Sequence, residues 1–238
     1  MTDFLKKNSY TSMQKAFYKA GTSNHLEHNN NKNYWNILLK DLKDTSRWEG
    51  KKALDFACGK GRNVTNLLSL CNWSEVDGVD ISEGNINYCR DNYTDQESSW
   101  FVNNGFDLSC MPRTKKYDFV MSTIALQHIP VYDIRKRIIT DIFDLLHDGG
   151  IFSFQMGIGE DLSDPIGRPR SRYYENAYGA RSTNSDHDVR IFEEEEVLED
   201  MKRIGFSENS AVITDTLSDD GEPLDAGHPG WIWVRCVK

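Results

Sequence analysis

Two features of the sequence could hold a small nucleoside-like ligand. The first is the run Asp55-Phe56-Ala57-Cys58-Gly59-Lys60-Gly61-Arg62. Gly59 and Gly61 let the backbone approach a ligand closely and take positive φ. A helix that starts there presents free N–H groups to an anionic group such as a carboxylate. A tight strand-to-helix turn that needs glycine would read the same way. The second feature is Asp80, near the end of the apolar run Val76–Ile81. An ionised carboxylate only accepts, and it can take both hydroxyls of a ribose. Its plain alternatives are a helix cap or a solvated strand end. The loop and the carboxylate together, in this order, favour a nucleoside site over either alternative.

The elements that must position these residues follow a regular rhythm. Ala53–Ala57 reads as a first strand, and Val64, Leu67, Leu68 and Cys71 fall on one face of a helix. Val76–Ile81 is a second strand, and Ser82–Asn92 a helix with Ser82 as its N-cap. Trp100–Val102 and Tyr117–Ser122 are strands three and four. Ile134, Ile138, Ile142, Leu145 and Leu146 form a helical stripe that Gly149-Gly150 is expected to stop. Ile151–Met156 is strand five. A helix over Phe192–Ile204 and strands at Ala211–Thr216 and Trp231–Val237 close the chain, the last two as an antiparallel hairpin. Alternating strands and helices predict an α/β, doubly wound, mostly parallel sheet with helices on both faces. Upstream, Tyr34, Trp35, Ile37, Leu38 and Leu42 predict one amphipathic helix within an N-terminal helical cap, residues 1–50. The remainder, 51–238, is one domain with an insertion at 157–190. That stretch is rich in Gly, Pro, Arg, Tyr and Asp, and loops so long tend to be functional.

The ligand class follows from which glycines are missing. The dinucleotide fingerprint G-x-G-x-x-G would fall on Ala57, Gly59 and Arg62, so two of its places fail. This speaks against a nucleotide-cofactor oxidoreductase. The pattern is acid-x-small-x-Gly-x-Gly. Here the chain resembles the class I S-adenosylmethionine-dependent methyltransferase superfamily over roughly Leu54 to Met156. Leu54–Asn63 looks like its motif I, and Gly78-Val79-Asp80-Ile81-Ser82 looks like its motif II. Asn104-Gly105-Phe106-Asp107-Leu108 looks like its adenine-binding segment. Tyr117–Ser122 with Leu126-Gln127-His128-Ile129-Pro130 looks like motif IV and its loop, and Leu146–Phe152 like the turn into strand five. Ala57 stands where the family more often has glycine.

The resemblance implies a Rossmann-like sheet of seven strands with an antiparallel C-terminal pair. It implies S-adenosylmethionine as cofactor, with Asp55, Ala57, Gly59, Gly61 and Arg62 around the methionine part. Asp80 would hold the ribose, Ile81 the adenine face, and Gly105, Phe106 and Asp107 the adenine edge. Ser122 would lie beside the sulfonium. His128, in the loop after strand four, becomes a general-base candidate, since an imidazole titrates near pH 6.5; a loop-fixing histidine is the other reading. His187, between Asp186 and Asp188, is a second candidate base; no metal site is proposed there. A non-catalytic binding or scaffold protein that kept the fold stays open beside the enzyme.

The acceptor side rests on the 157–190 insertion. It carries Arg168, Arg170, Arg172, Arg181 and Arg190 in a chain of formal net charge −9. Arginines fork onto carboxylate or phosphate, and Tyr173 and Tyr178 offer flat walls with a polar tip. Arg170, Arg172, Tyr173, Tyr178 and Arg190 are therefore candidate substrate contacts in a lid over a small polar or anionic acceptor, with an oxygen nucleophile expected. A solvated arm whose charges pair with Glu160, Asp161, Asp164 and Glu175 is the alternative. The acidic balance argues against a nucleic-acid partner. No apolar run reaches a membrane span, and Met1–Tyr10 lacks the apolar core of a signal peptide. Five scattered cysteines fit reduced thiols in a cytoplasmic protein. The oligomeric state is not legible.

Overall fold

A computed structural model of the chain describes residues 3–19, 32–94, 98–159, 171–178, 188–215 and 230–238. Helix α1 (Asp3–Tyr18) comes first. Strands β1 (Lys52–Phe56), β2 (Glu75–Asp80), β3 (Trp100–Val102), β4 (Tyr117–Ser122) and β5 (Leu146–Ile158) alternate with helices α2 (Arg62–Leu70), α3 (Glu83–Asn92) and α4 (Tyr132–Leu145). The two-residue strands β6 (Ser171–Arg172) and β7 (Val189–Arg190) pair in parallel with each other. Helix α5 (Glu194–Ile204) and strands β8 (Glu208–Asp215) and β9 (Gly230–Val237) follow.

The main sheet has seven strands in the order β3-β2-β1-β4-β5-β9-β8. The first five pair in parallel, and β9 runs antiparallel to both β5 and β8. This is the class I methyltransferase, Rossmann-like arrangement expected from the sequence. Strand side chains alternate between two buried clusters. Leu54, Val120, Phe152 and Val234 meet α4, α5 and Tyr10 of α1 on one face. Ala53, Met121, Ile151 and Trp233 meet α2, α3 and the 34–48 segment on the other. The helix starts also match their signals. Ser82 Oγ accepts from Asn85 N at 3.2 Å. Glu196 folds back so that its Oε2 accepts from Phe192 N at 2.9 Å, so the Glu193–Glu196 run caps α5.

Two elements differ from expectation. Residues 34–42 are not one helix but a wide π turn (Tyr34–Leu38) and a 3-10 turn (Lys40–Lys43), with another at Thr45–Trp48. Leu39 N donates to Tyr34 O, five residues back, at 3.1 Å. That wider turn buries both Leu38 and Leu39, which lie about 100° apart on a regular helix. The second difference is that α4 ends at Leu145, and Leu146 already belongs to β5, opposite Tyr117. Gly149 (φ +77) and Gly150 thus mark an irregularity inside the strand, not the stop of the helix. A Cβ on Gly150 would lie 2.8 Å from His147 O.

At the end of the sheet away from the loops of interest, Asp77 is fully buried. It accepts from Tyr117 Oη at 2.6 Å, from Ser99 N at 2.7 Å and from Lys115 Nζ. Removing one partner of such a buried set strands the others. Asp77→Ala is expected to cost about 3 kcal/mol, read as a lower urea midpoint with an unchanged slope. An unchanged midpoint would mean that this network contributes nothing to stability.

Candidate active site

The chain runs outward from β1 through β2 to β3, then returns to β4 and moves the other way. Open α/β sheets bind ligands above the carboxyl ends of strands at such a reversal. A cavity of about 310 Å³ lies there. Its floor is the turn between β1 and α2. Ala57 N and Cys58 N both donate to Val79 O, at 2.8 and 3.1 Å, which ties the turn to β2. Ala57 (φ +62), Gly59 (φ +54) and Gly61 (φ +86) are all left-handed. Gly61 admits no substitute, because a Cβ there would lie 2.7 Å from Tyr93 Cε2. Ala57 holds a conformation that costs an L-residue about 1–2 kcal/mol.

Asp80 shapes this turn. Its Oδ2 accepts from Gly59 N at 2.9 Å, and its Oδ1 from Ser82 N at 2.7 Å and Asn85 Nδ2 at 3.4 Å. Burial raises its pKa, and the N–H donors work against that rise. Beside it, Ile81, Asn103 and Gly105 line the cavity. Gly105 N donates to Asn103 Oδ1 at 2.8 Å, and a Cβ on Gly105 would press Ile81 Cδ1 at 3.0 Å. Asp55 sits out of solvent beneath the turn, with Asn63 Nδ2 at 3.5 Å from Oδ1 and no partner for Oδ2 among the described residues. Burial pushes its pKa up to about 8.

The opposite wall is the segment after β4. Asn63 Nδ2 donates to Thr123 Oγ1 at 3.1 Å and so joins the two walls. Ile124 takes φ +52, a strained conformation for a β-branched residue, and lines the cavity 40% exposed. A short turn (Leu126–His128) then brings His128 to the cavity. His128 Nδ1 is 2.6 Å from Asp188 Oδ1. Asp188 Oδ2 accepts from Gln127 Nε2 at 3.2 Å, and Gln127 Oε1 accepts from Gly157 N at 3.0 Å. Against the Asp188 carboxylate, which only accepts, Nδ1 is the donating nitrogen of the ring.

Of the cofactor residues read from sequence, Ala57, Gly59, Arg62, Asp80, Ile81 and Gly105 line the cavity. Asp55, Gly61 and Ser122 lie behind its wall. Phe106 and Asp107 are turned away from it: the Asp107 carboxylate accepts from Asn104 Nδ2 at 2.6 Å and Ser109 N at 3.0 Å within its own loop. Asn103 takes the wall position instead. His187 and Arg170 lie outside the described residues, as do Glu160, Asp161 and Asp164. The other proposed substrate contacts are mostly elsewhere. Arg172 lies over the Phe192 ring at 4.7 Å. Tyr173 is fully buried, donates to Asp200 Oδ2 at 3.1 Å and packs under Arg135. Arg190 is on β7, off the cavity wall, with Nε unpartnered among the described residues. Tyr178 is one shell out, edge-on to Tyr10 with ring centroids 6.3 Å apart.

Sequence reading missed Tyr10, Gln14 and Tyr18, which line the cavity from α1. Their signal is an i, i+4, i+8 stripe, but all three members carry polar groups, so it has no apolar signature to mark an inward face. Cys58 reaches the cavity with its thiol pKa raised, chiefly by burial, which is not the setting of a nucleophile. Among the described residues no group of His, Cys, Asp and Glu is placed to hold a metal, and no helix is long and apolar enough to cross a membrane.

Residues 53–150 match the family model described as a methyltransferase domain. No curated protein matches the chain. Among solved structures, the chain is similar to an N-methyltransferase 2 of Haemonchus contortus in complex with phosphomonomethylethanolamine and S-adenosylhomocysteine. The TM-score is 0.63 at 18% identity, covering 99% of this chain and 59% of that one. It is similar to an S-adenosylmethionine-dependent methyltransferase from Clostridium acetobutylicum, with TM-score 0.59 and 14% identity over 87% and 91% of the two chains. A TehB-like S-adenosylmethionine-dependent methyltransferase from Corynebacterium glutamicum gives 0.52 at 19% identity over the whole of both chains. At these identities the likeness is one of fold.

The residues present suit S-adenosylmethionine. A glycine turn that a Cβ would obstruct lies under the cavity, and Asp80 is held by N–H donors with lone pairs left for ribose hydroxyls. Asp55 gives a pH test of the protein without ligand. Its folded pKa of about 8 lies above the ordinary carboxylate value of 3.8, so its contribution is fully present below pH 4 and fades as pH rises to 8. Asp55→Asn removes that slope. Its melting temperature is expected to gain on wild type by several degrees between pH 5 and pH 8. A difference in melting temperature that stays constant over that range would show that Asp55 is already ionised in the fold.

Proposed function

We propose that this chain, an S-adenosylmethionine-dependent methyltransferase, methylates a small polar or anionic acceptor at an oxygen, with His128 as general base. The observation that carries the proposal is the 2.6 Å contact of His128 Nδ1 with Asp188 at the cavity wall. An imidazole oriented through Nδ1 by a buried carboxylate has the arrangement that a general base acting through its other nitrogen needs.

S-adenosylmethionine, when bound, supplies an electrophilic methyl group on a sulfonium. The chain's own residues have three tasks. Asp80, Ile81, Asn103 and the 57–61 turn bind and orient the nucleoside. Ile124 and the apolar wall around Ile129 and Ile138 exclude water, which keeps the acceptor aligned for in-line displacement. His128 takes the acceptor's proton at Nε2, and Asp188 stabilises the resulting imidazolium while holding the ring in place. An acceptor of modest size is supported by the cavity volume, about 310 Å³ for cofactor and acceptor together. The Haemonchus contortus neighbour, solved with phosphomonomethylethanolamine, supports a small phosphorylated or otherwise anionic acceptor. The described residues of the 157–190 insertion contribute Asp188, and the insertion is proposed to act as the lid of this site.

Calorimetric titration with S-adenosylmethionine, S-adenosylhomocysteine and NAD is the first experiment. Selective binding of the two sulfur nucleosides, lost in Asp80→Ala, is expected; preference for NAD would overturn the cofactor assignment. Small hydroxylated and anionic compounds are then screened for S-adenosylhomocysteine release. On the active acceptor, His128→Gln is expected to lower kcat by about 100-fold or more with cofactor affinity unchanged. Asp188→Asn is expected to lower kcat with cofactor affinity unchanged, because the ring loses the carboxylate that orients it. Full activity in His128→Gln would remove the general base from the mechanism.

A further inference from the structure

Two buried donors of α1 line the cavity. Tyr10 is 1% exposed and Gln14 4% exposed, and both line the cavity. Tyr10 Oη and Gln14 Nε2 are buried without a hydrogen-bond partner among the described residues. A buried donor left without a partner is unfavourable, and a bound acceptor oxygen would relieve it. Burial keeps the Tyr10 phenol protonated, so both groups can donate. Asp80, the carboxylate on the cavity wall, is hydrogen-bonded to Gly59, Ser82 and Asn85 and not to Tyr10 or Gln14. Two cations, Lys60 and Arg62, line the same cavity as Tyr10 and Gln14, Arg62 Nε has no partner among the described residues, and the buried Arg135 acts on Tyr10. Two buried donors one helical turn apart, with two cations on the same cavity, match an oxygen anion.

We propose that Tyr10 Oη and Gln14 Nε2 form a subsite on α1 for a carboxylate or phosphate group of a bound molecule. That oxyanion has two sources: the α-carboxylate of the cofactor's methionine part, or an anionic group of the acceptor. Ligand binding then completes the hydrogen bonding of α1 and clamps this helix onto the cavity. The subsite rests on the methyltransferase reading for the choice of nucleosides that test it.

The experiment is calorimetry on the full chain with three probes: S-adenosylhomocysteine, 5′-methylthioadenosine, which lacks the amino-acid end, and inorganic phosphate. Wild type is compared with Tyr10→Phe, which keeps the ring against Tyr178, and Gln14→Met, which keeps the length. Melting curves confirm that both variants fold. If the cofactor's carboxylate is the ligand, each variant weakens S-adenosylhomocysteine about ten-fold and leaves 5′-methylthioadenosine unchanged. If an acceptor's anion is the ligand, both nucleosides bind as in wild type, and binding of phosphate to the S-adenosylhomocysteine-loaded protein is lost in the variants. Equal affinities of wild type and variants for all three probes would overturn the subsite while leaving the cofactor reading intact. A wild type that binds neither nucleoside overturns the cofactor reading instead, and phosphate binding to the free protein then decides the subsite alone.

Discussion

The site depends first on one buried carboxylate. Asp80 accepts from Gly59 in the turn after β1 and from Ser82 and Asn85 at the start of α3. A turn with three residues at positive φ has no helix or sheet ladder of its own to hold it, and Ala57 is strained within it. The hydrogen bond to Gly59 N, with the pair from Ala57 and Cys58 to Val79 O, replaces that ladder. The same carboxylate therefore sets the shape of the cavity floor and, in the proposed function, meets the ribose. Removing it would not simply delete a proposed ligand contact, because the turn under the cavity would lose its anchor.

The chemistry at the other wall is assembled from further away in the chain. Gly157 at the end of β5, Gln127 and His128 after β4, and Asp188 beside β7 form one line of hydrogen bonds. Gly159 N donates to Ile191 O at 2.8 Å, and Ser171 N to Asp188 O at 3.3 Å. These contacts dock the end of the insertion onto the long strand β5. The position of the carboxylate behind His128 is thus a consequence of β5 running on to Ile158 and not stopping at Met156. Strand length and the orientation of the imidazole are one structural fact.

The floor of the site was legible in the sequence and much of its roof was not, and the reason is locality. Gly59, Gly61 and Asp80 are constrained by backbone conformation and by neighbours a few residues or one strand away, and such constraints leave fixed residue types at fixed spacing. The strands and helices were legible for the same reason, since their periods are local, while the arrangement of the seven strands came from the family resemblance. The partner of His128 was not. Asp188 was noted only as a flank of His187, because nothing in a one-dimensional pattern says which residue of a thirty-residue insertion returns to the β4 loop. The arginines misled for a related reason. An arginine-rich stretch reads as an anion site, but Arg172 spends its guanidinium on Phe192 and Tyr173 spends its hydroxyl on Asp200. The stripe on α1 was hidden because a helix whose inner face carries tyrosine and glutamine has no apolar signature to mark it as inward.

This division has a functional logic. The match to a methyltransferase domain spans residues 53–150, the part that makes the floor, Asp80 and the β4 loop. Tyr10, Gln14 and Asp188 lie outside it, on either side in sequence, yet close the same cavity. A cofactor shared by many enzymes calls for the same turn and the same carboxylate each time, whereas an acceptor is particular to each. Residues contributed by a separate N-terminal helix and by an insertion after β5 can change without disturbing the sheet, because neither carries a strand of its central ladder. The parts of the cavity wall outside the matched domain are thus the parts the fold constrains least, and Tyr10 and Gln14, without a hydrogen-bond partner among the described residues, lie on one of them.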